Sequence, residues 1–285
     1  MNLEQETKFI LKKYNAQANK SYGQNFLIDQ NVVDEILEKA EVNSEDLIIE
    51  IGPGLGSLTA PLLGTAGKVI CIELDPKMVA ILKDRFALYG NFELINEDVL
   101  KVDLNKIIEE NCQFKSAKVV ANLPYYITTP IIMKLLEDKL NLESITVMVQ
   151  KEVADRLADK PGGKDVGAIT YSINYYTNPE IIIDVPRYSF IPAPNVDSAV
   201  IKLNVLKEPK VKVLDEELFF KVVKFAFLQK RKTLMNSLSN SGLVSKEFIE
   251  RMLNELEIDL RVRAEQLSLE QFGEITDYIK NNKII

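Results

Sequence analysis

Up to about residue 205, short apolar runs alternate with amphipathic stretches. Leu47 to Ile51, Lys68 to Asp75, Phe92 to Ile95, Ala117 to Ala121 and Ile145 to Val149 are brief and rich in β-branched residues, the pattern of strands buried on both faces. Between them apolar residues recur at helical spacing. Val32, Val33, Ile36, Leu37 and Ala40 share one face behind an N-cap at Asp29 or Asn31, and Met78, Ile81, Leu82 and Phe86 share another within a helix over 77–88. Residues 104–112 read as a helix, and so do Ile131, Ile132, Leu135 and Leu136 after Pro130 and the stretch Gln150 to Leu157. Residues 3–13 have helical character, while Ile169 to Tyr176, Ile181 to Val185 and Ala199 to Val205 are strand-like. The alternation implies an α/β fold with a doubly wound, seven-stranded, mostly parallel sheet. From Pro209 onward the strand pattern disappears, and helical segments near 215–228, 230–240, 245–256 and 270–280 predict a small all-helical domain. The expected division is 1–205 and 206–285.

Composition narrows the chemistry. With 46% hydrophobic and 27% charged residues the chain has a real core, and 285 residues suit one large and one small domain. No apolar run reaches the length of a membrane span, and Met1 to Lys13 is mixed in charge rather than signal-like, so no membrane association and a cytoplasmic location are expected. Two cysteines, Cys71 and Cys112, argue against a disulfide framework or a thiolate metal site, and no metal is expected. There is no histidine, which removes the commonest general base and the Ser-His and Cys-His nucleophile pairs. The net charge of −7 offers no global attraction to nucleic acid. From Val205 to the end, however, 14 Lys and Arg face 13 Asp and Glu, so a basic face has to be local. Lys224, Lys230, Arg231 and Lys232 are the densest basic cluster, with Arg261 and Arg263 following. They are either a solvated helix surface or a phosphate-contacting patch.

Two strand ends carry the candidate chemistry. The strand Leu47 to Ile51 runs into Gly52-Pro53-Gly54-Leu55-Gly56-Ser57, and the next strand ends in acids, Glu73 and Asp75. Alternate glycines allow a tight turn and close backbone approach, and an acid at that offset is placed to hold the hydroxyls of a ribose. The spacing is G-x-G-x-G, with Ser57 where a dinucleotide fingerprint has its third glycine; turns of this form, preceded by an acid such as Glu50, resemble those of class I methyltransferases that bind S-adenosylmethionine. Glu97 and Asp98 follow a third strand, where an acid can bond an adenine's amine or simply cap a helix. Past the strand ending at Ala121 comes Asn122-Leu123-Pro124-Tyr125-Tyr126. The Asn122 amide and the carbonyl of Leu123 or Pro124 can accept two N–H bonds from a planar ring with an exocyclic amine, while Tyr125 stacks on it. Upstream, the glycine-containing loop from Lys20 to Asp29 can fold over a ligand or act as a connector.

Gly23-Gln24-Asn25-Phe26-Leu27, Glu50-x-Gly-Pro-Gly-Leu-Gly, Glu73-Leu-Asp75, Glu97-Asp98, Asn122-Leu-Pro-Tyr125, Val149-Gln-Lys-Glu-Val-Ala-Asp-Arg-Leu157 and Phe190-x-Pro-x-Pro-x-Val-x-Ser198 resemble, in order, the adenine N6-dimethyltransferases of ribosomal RNA. The Gln-Lys-Glu-Val-Ala-Asp-Arg-Leu helix, the Pro161-Gly-Gly-Lys164 loop and Gln229 to Leu238 are closest to the branch that modifies 16S rRNA of the small subunit at two adjacent adenosines near the 3′ end. The other branch is a 23S enzyme of macrolide resistance, and a non-catalytic small-subunit assembly factor is a further alternative. Val166 and Lys230 depart from the 16S pattern, and both bear on RNA contact rather than chemistry. The resemblance implies a class I, Rossmann-like fold and S-adenosylmethionine held by Asn25, Leu27, Gly52, Glu73, Asp98 and Asn122. It further implies a target adenine gripped by Asn122, Leu123, Pro124 and Tyr125, with Phe190 stacking opposite. Lys230, Arg231 and Lys232 would contact RNA, the partner would be 16S rRNA in the immature small subunit, and the protein would act as a monomer.

Overall fold

The computed structural model describes residues 2–19, 22–163, 165–229 and 231–282. It resolves into two compact units, Met1–Asp155 with Pro179–Val205, and Arg156–Asn178 with Leu206–Ile285.

In the first unit, helix α1 (Leu3–Lys13) starts at an Asn2 capping box, and strand β1 (Phe26–Leu27) leads to α2 (Gln30–Lys39), whose N-cap is Asp29. A central sheet follows from β2 (Asp46–Ile51), β3 (Lys68–Ile72), β4 (Phe92–Ile95), β5 (Ser116–Asn122) and β6 (Ser144–Gln150). Crossover helices α3 (Thr59–Thr65), α4 (Pro76–Arg85), α5 (Leu104–Glu110) and α6 (Thr128–Glu137) connect them, so these strands run parallel. After α7 (Lys151–Ala158) and α8 (Ala168–Tyr176) come β7 (Thr177–Val185), the short β8 (Phe190–Ile191) and β9 (Ser198–Val205). The seven-stranded order is β4-β3-β2-β5-β6-β9-β7, with β9 antiparallel to β6, and β8 pairs antiparallel with β1. Chain progression reverses between β2 and β5, which is where open α/β sheets bind ligands beyond the strands' carboxyl ends. Ile49 lies opposite Val119, so Gly52 and Asn122 leave the sheet side by side.

The second unit holds α9 (Glu216–Ala226), α10 (Leu234–Asn240), α11 (Lys246–Glu255) and α12 (Leu269–Asn282). Residues 169–176, strand-like by composition, are helix α8. Thr170 to Tyr175 are all buried, and Ile169, Tyr171, Ile173 and Tyr175 alternate with polar Thr170, Ser172 and Asn174, so the sequence carries a strand's period of two rather than a helix's 3.6. For the same reason the boundary differs from a single cut after Val205. Tyr171 and Tyr175 pack with Phe219, Leu234, Ile249 and Phe272 in the helical core, so 156–178 belongs with the C-terminal helices. Tyr171 Oη is anchored on the carbonyls of Ala264 and Leu267 at 3.1 and 2.6 Å, and burial pushes this phenol up to about 12.

Candidate active site

Beyond the switch point lies an open cleft, whose empty space together with the solvent at its mouth is about 1010 Å³. Its floor is the glycine turn after β2, where Gly52 and Gly54 have φ of 66° and 58°. Left-handed backbone favours glycine there, and so does space: a Cβ on Gly54 would lie 3.3 Å from the Phe26 ring. Asn25, Leu27, Gly52, Glu73, Asp98, Asn122, Leu123, Pro124 and Tyr125 all line this cleft.

Phe190 does not. It is 2% exposed, sits in β8 opposite Leu27 and belongs to the same buried cluster as Val33, Ile36 and Val200, so no face of its ring lines the cleft in this structure. Arg231 and Lys232 are exposed in the second unit between α9 and α10, while Lys230 lies outside the described residues, as do Lys20, Ser21 and Lys164 of the quoted loops.

At the end of β5, Asn122 Nδ2 donates to the Asn25 carbonyl at 3.2 Å. That bond fixes which way the amide faces and leaves Oδ1 as an acceptor. The Pro124 carbonyl already accepts from Ile127 N and from Thr128 Oγ1, both at 3.2 Å, so of the two carbonyls open in the sequence reading it is the one already engaged at the start of α6. Tyr125 Oη and Ser198 Oγ are 2.6 Å apart, which anchors the tip of the ring, and burial pushes the phenol above its ordinary pKa.

The acids are held as firmly. Glu73 is 6% exposed and accepts Gly54 N at 3.1 Å on one oxygen and Asp75 N at 2.8 Å on the other. Burial still outweighs these bonds and raises its pKa. Glu50, opposite Cys71 across β2 and β3, is 1% exposed, and its carboxyl is pushed up to about 7 by burial. Bonds from Thr59 Oγ1 at 2.6 Å and Cys71 Sγ at 3.4 Å oppose the rise, and the Glu73 charge adds to it. Asp98 caps the turn at Leu100 N with one oxygen, 3.0 Å away, and also lines the cleft, so capping does not take it out of reach of the cleft.

Sequence reasoning missed several contributors. Ser198 orients Tyr125 from 73 residues away, and its only signal was its place at the end of a recurring motif. Gln24 and Tyr126 also line the cleft; the signals were a polar residue beside a loop glycine and a second adjacent tyrosine. Among the described residues, no group of three or more His, Cys, Asp or Glu is arranged to hold a metal ion, and no helix is long and apolar enough to cross a membrane.

The profile of the ribosomal RNA adenine dimethylases matches residues 15–281. The chain belongs to that family. A relative named ribosomal RNA small subunit methyltransferase A, from Alkaliphilus oremlandii, is 50% identical over 269 residues, 94% of each chain. A dimethyladenosine transferase from Plasmodium falciparum superposes with a TM-score of 0.75 at 27% identity, covering 90% of this chain and 98% of that one. A 23S rRNA methyltransferase superposes with a TM-score of 0.68 over 90% of this chain and all of the other; at 24% identity it shares the fold. Membership makes the chain a methyltransferase of rRNA adenines, built on a Rossmann-like sheet with helices after it.

Proposed function

We propose that this protein dimethylates N6 of two adjacent adenosines near the 3′ end of 16S rRNA in the immature small subunit, using S-adenosylmethionine, in the cytoplasm and as a monomer. The small-subunit target is supported by relatives of that name at half identity, whereas likeness to the 23S enzyme extends to the fold. The donor set suits the cofactor. Glu73 lines the cleft with its carboxylate held by backbone N–H groups, at the strand end where ribose hydroxyls are bound, Asp98 has one oxygen outside its cap, and the glycine turn offers bare backbone. When bound, S-adenosylmethionine supplies a methyl group on a positively charged sulfonium.

The chain's own task is to make a poor nucleophile point the right way. Adenine's N6 lone pair is delocalised into the ring. Asn122 Oδ1 and the Leu123 carbonyl accept its two hydrogens, draw the nitrogen toward tetrahedral geometry and free that lone pair. Tyr125, held by Ser198, stacks on the flipped base and offsets part of the few kcal/mol that unstacking costs. The charged product loses its proton to water, so a histidine-free chain needs no strong base. Positioning and desolvation then carry the rate, effects that supply roughly 7–11 kcal/mol when reactants are held in line.

The observation that carries this reading is the bond from Asn122 to the Asn25 carbonyl, which leaves Oδ1 as an acceptor next to Gly52. Replacing Asn122 by Ala is expected to cut tritiated-methyl incorporation into under-methylated small subunits by more than about tenfold while the thermal midpoint holds. Near-normal incorporation by a folded variant would refute the role.

A further inference from the structure

The loop beside the cleft is tied at its middle by one amide. Gln24 uses both ends of its side chain: Oε1 accepts from Asn19 N at 2.8 Å, and Nε2 donates to Asp75 Oδ2 at 2.9 Å. Asp75 is 7% exposed; its other oxygen accepts from Lys77 N at 2.9 Å to cap α4, and its own N–H donates to Glu73 Oε1. Glu73 Oε2 accepts from Gly54. One chain of hydrogen bonds therefore runs from the loop through the end of β3 into the glycine turn. Two further contacts complete the fastening. Asn122 Nδ2 holds the Asn25 carbonyl, and Gly23, at φ 60°, lets the Tyr126 ring come so close that a Cβ would sit 3.1 Å from it.

From this geometry we infer that Gln24 and Asp75 are positioning residues for S-adenosylmethionine, a strut that holds Asn25 and Leu27 in register with Glu73. The inference rests on the cleft being the cofactor site. Its physical content is preorganisation: a loop ordered in advance does not charge its ordering entropy against binding. The bond is charge-assisted and part-buried, so it is of the stronger kind. Alanine at 24 leaves a backbone N–H and a carboxylate without their partner. Glutamate at 24 is more telling, because it sets a second carboxylate against Asp75, with Glu73 the next acid on that strand end.

The test is calorimetric titration of the full chain with S-adenosylhomocysteine, together with steady-state kinetics in S-adenosylmethionine. Gln24→Ala is expected to weaken binding about tenfold or more, with the loss in KM for the cofactor rather than in kcat. The Gln24→Ala and Asp75→Ala losses should be less than additive in the double variant, and Asp75→Asn, whose single oxygen can keep the α4 cap but whose amide nitrogen then faces Gln24 Nε2, should still lose affinity, in step with Gln24→Ala. Gln24→Glu should bind poorly at pH 8 and regain affinity toward pH 5, where a protonated Glu can again donate to Asp75; a residue needed only for folding would show no such profile. Wild-type binding with Gln24→Ala within twofold of it, or additive losses in the double variant, would overturn the strut. Failure of the wild type to bind at all would instead remove the cofactor-site reading, and this inference with it.

Discussion

Glu50, in the lining of the cleft, is a carboxyl group that the fold keeps out of water. Its pKa stands at about 7 against an ordinary 4.5, so the folded chain holds a proton that the unfolded chain has already released. The stability this contributes is fully present below about pH 4.5 and is lost as pH rises through 7, a swing on the order of 3 kcal/mol. Glu50→Gln should therefore flatten the fall in urea midpoint between pH 5 and pH 8, with the variant the more stable at pH 8. An unchanged slope would mean that Glu50 is ionised in the fold. At this scale, much of the site was legible because strand ends are legible: Asn122 and Glu73 follow apolar runs that can only be buried strands. Phe190 was not, because its burial is decided by the pairing of β8 with β1, two residues on each side, which leaves no period in the sequence. Nor was the engagement of the Pro124 carbonyl, which depends on how α6 begins.

Elements carry their own test in two glycines. Gly56, at φ 86°, ends the turn against α4, where a Cβ would fall 2.6 Å from the Phe86 ring and 3.2 Å from Leu82. Gly64 lies inside α3 with nothing within 4 Å of its would-be Cβ. Gly56→Ala should cost about 1–3 kcal/mol through overpacking and the left-handed backbone, whereas Gly64→Ala should gain roughly 0.4–1 kcal/mol. Chemical denaturation of both variants checks the pair, and equal effects would contradict the packing of the turn on α4. The parallel strands were legible from short β-branched runs between helical stretches. Helix α8 was not, since its aromatic and β-branched residues Ile169, Tyr171, Ile173 and Tyr175 alternate with polar ones and mimic a strand. That one misreading also misplaced the domain boundary, because Tyr171 and Tyr175 take 156–178 into the helical core.

At the scale of the whole molecule, a chain of net charge −7 has to bind a polyanion through local groups. Arg231 and Lys232, both exposed, are with Lys224 at the end of α9 the described members of the densest basic cluster. Replacing both by Ala should weaken binding to small subunits and lower the slope of log affinity against log salt by about 1.5, as expected for two phosphate contacts. An unchanged slope would make the cluster solvated surface. The central claim is that the Asn122 and Leu123 oxygens, beside the glycine turn, present adenine N6 for methylation. Its most direct test is nuclease digestion and mass spectrometry of small-subunit RNA from a strain lacking this protein, after incubation of the subunits with the purified chain and S-adenosylmethionine. Two adjacent N6,N6-dimethyladenosines near the 3′ end, absent with Asn122→Ala, are the predicted result; unmodified adenosines there with the wild-type protein would contradict it.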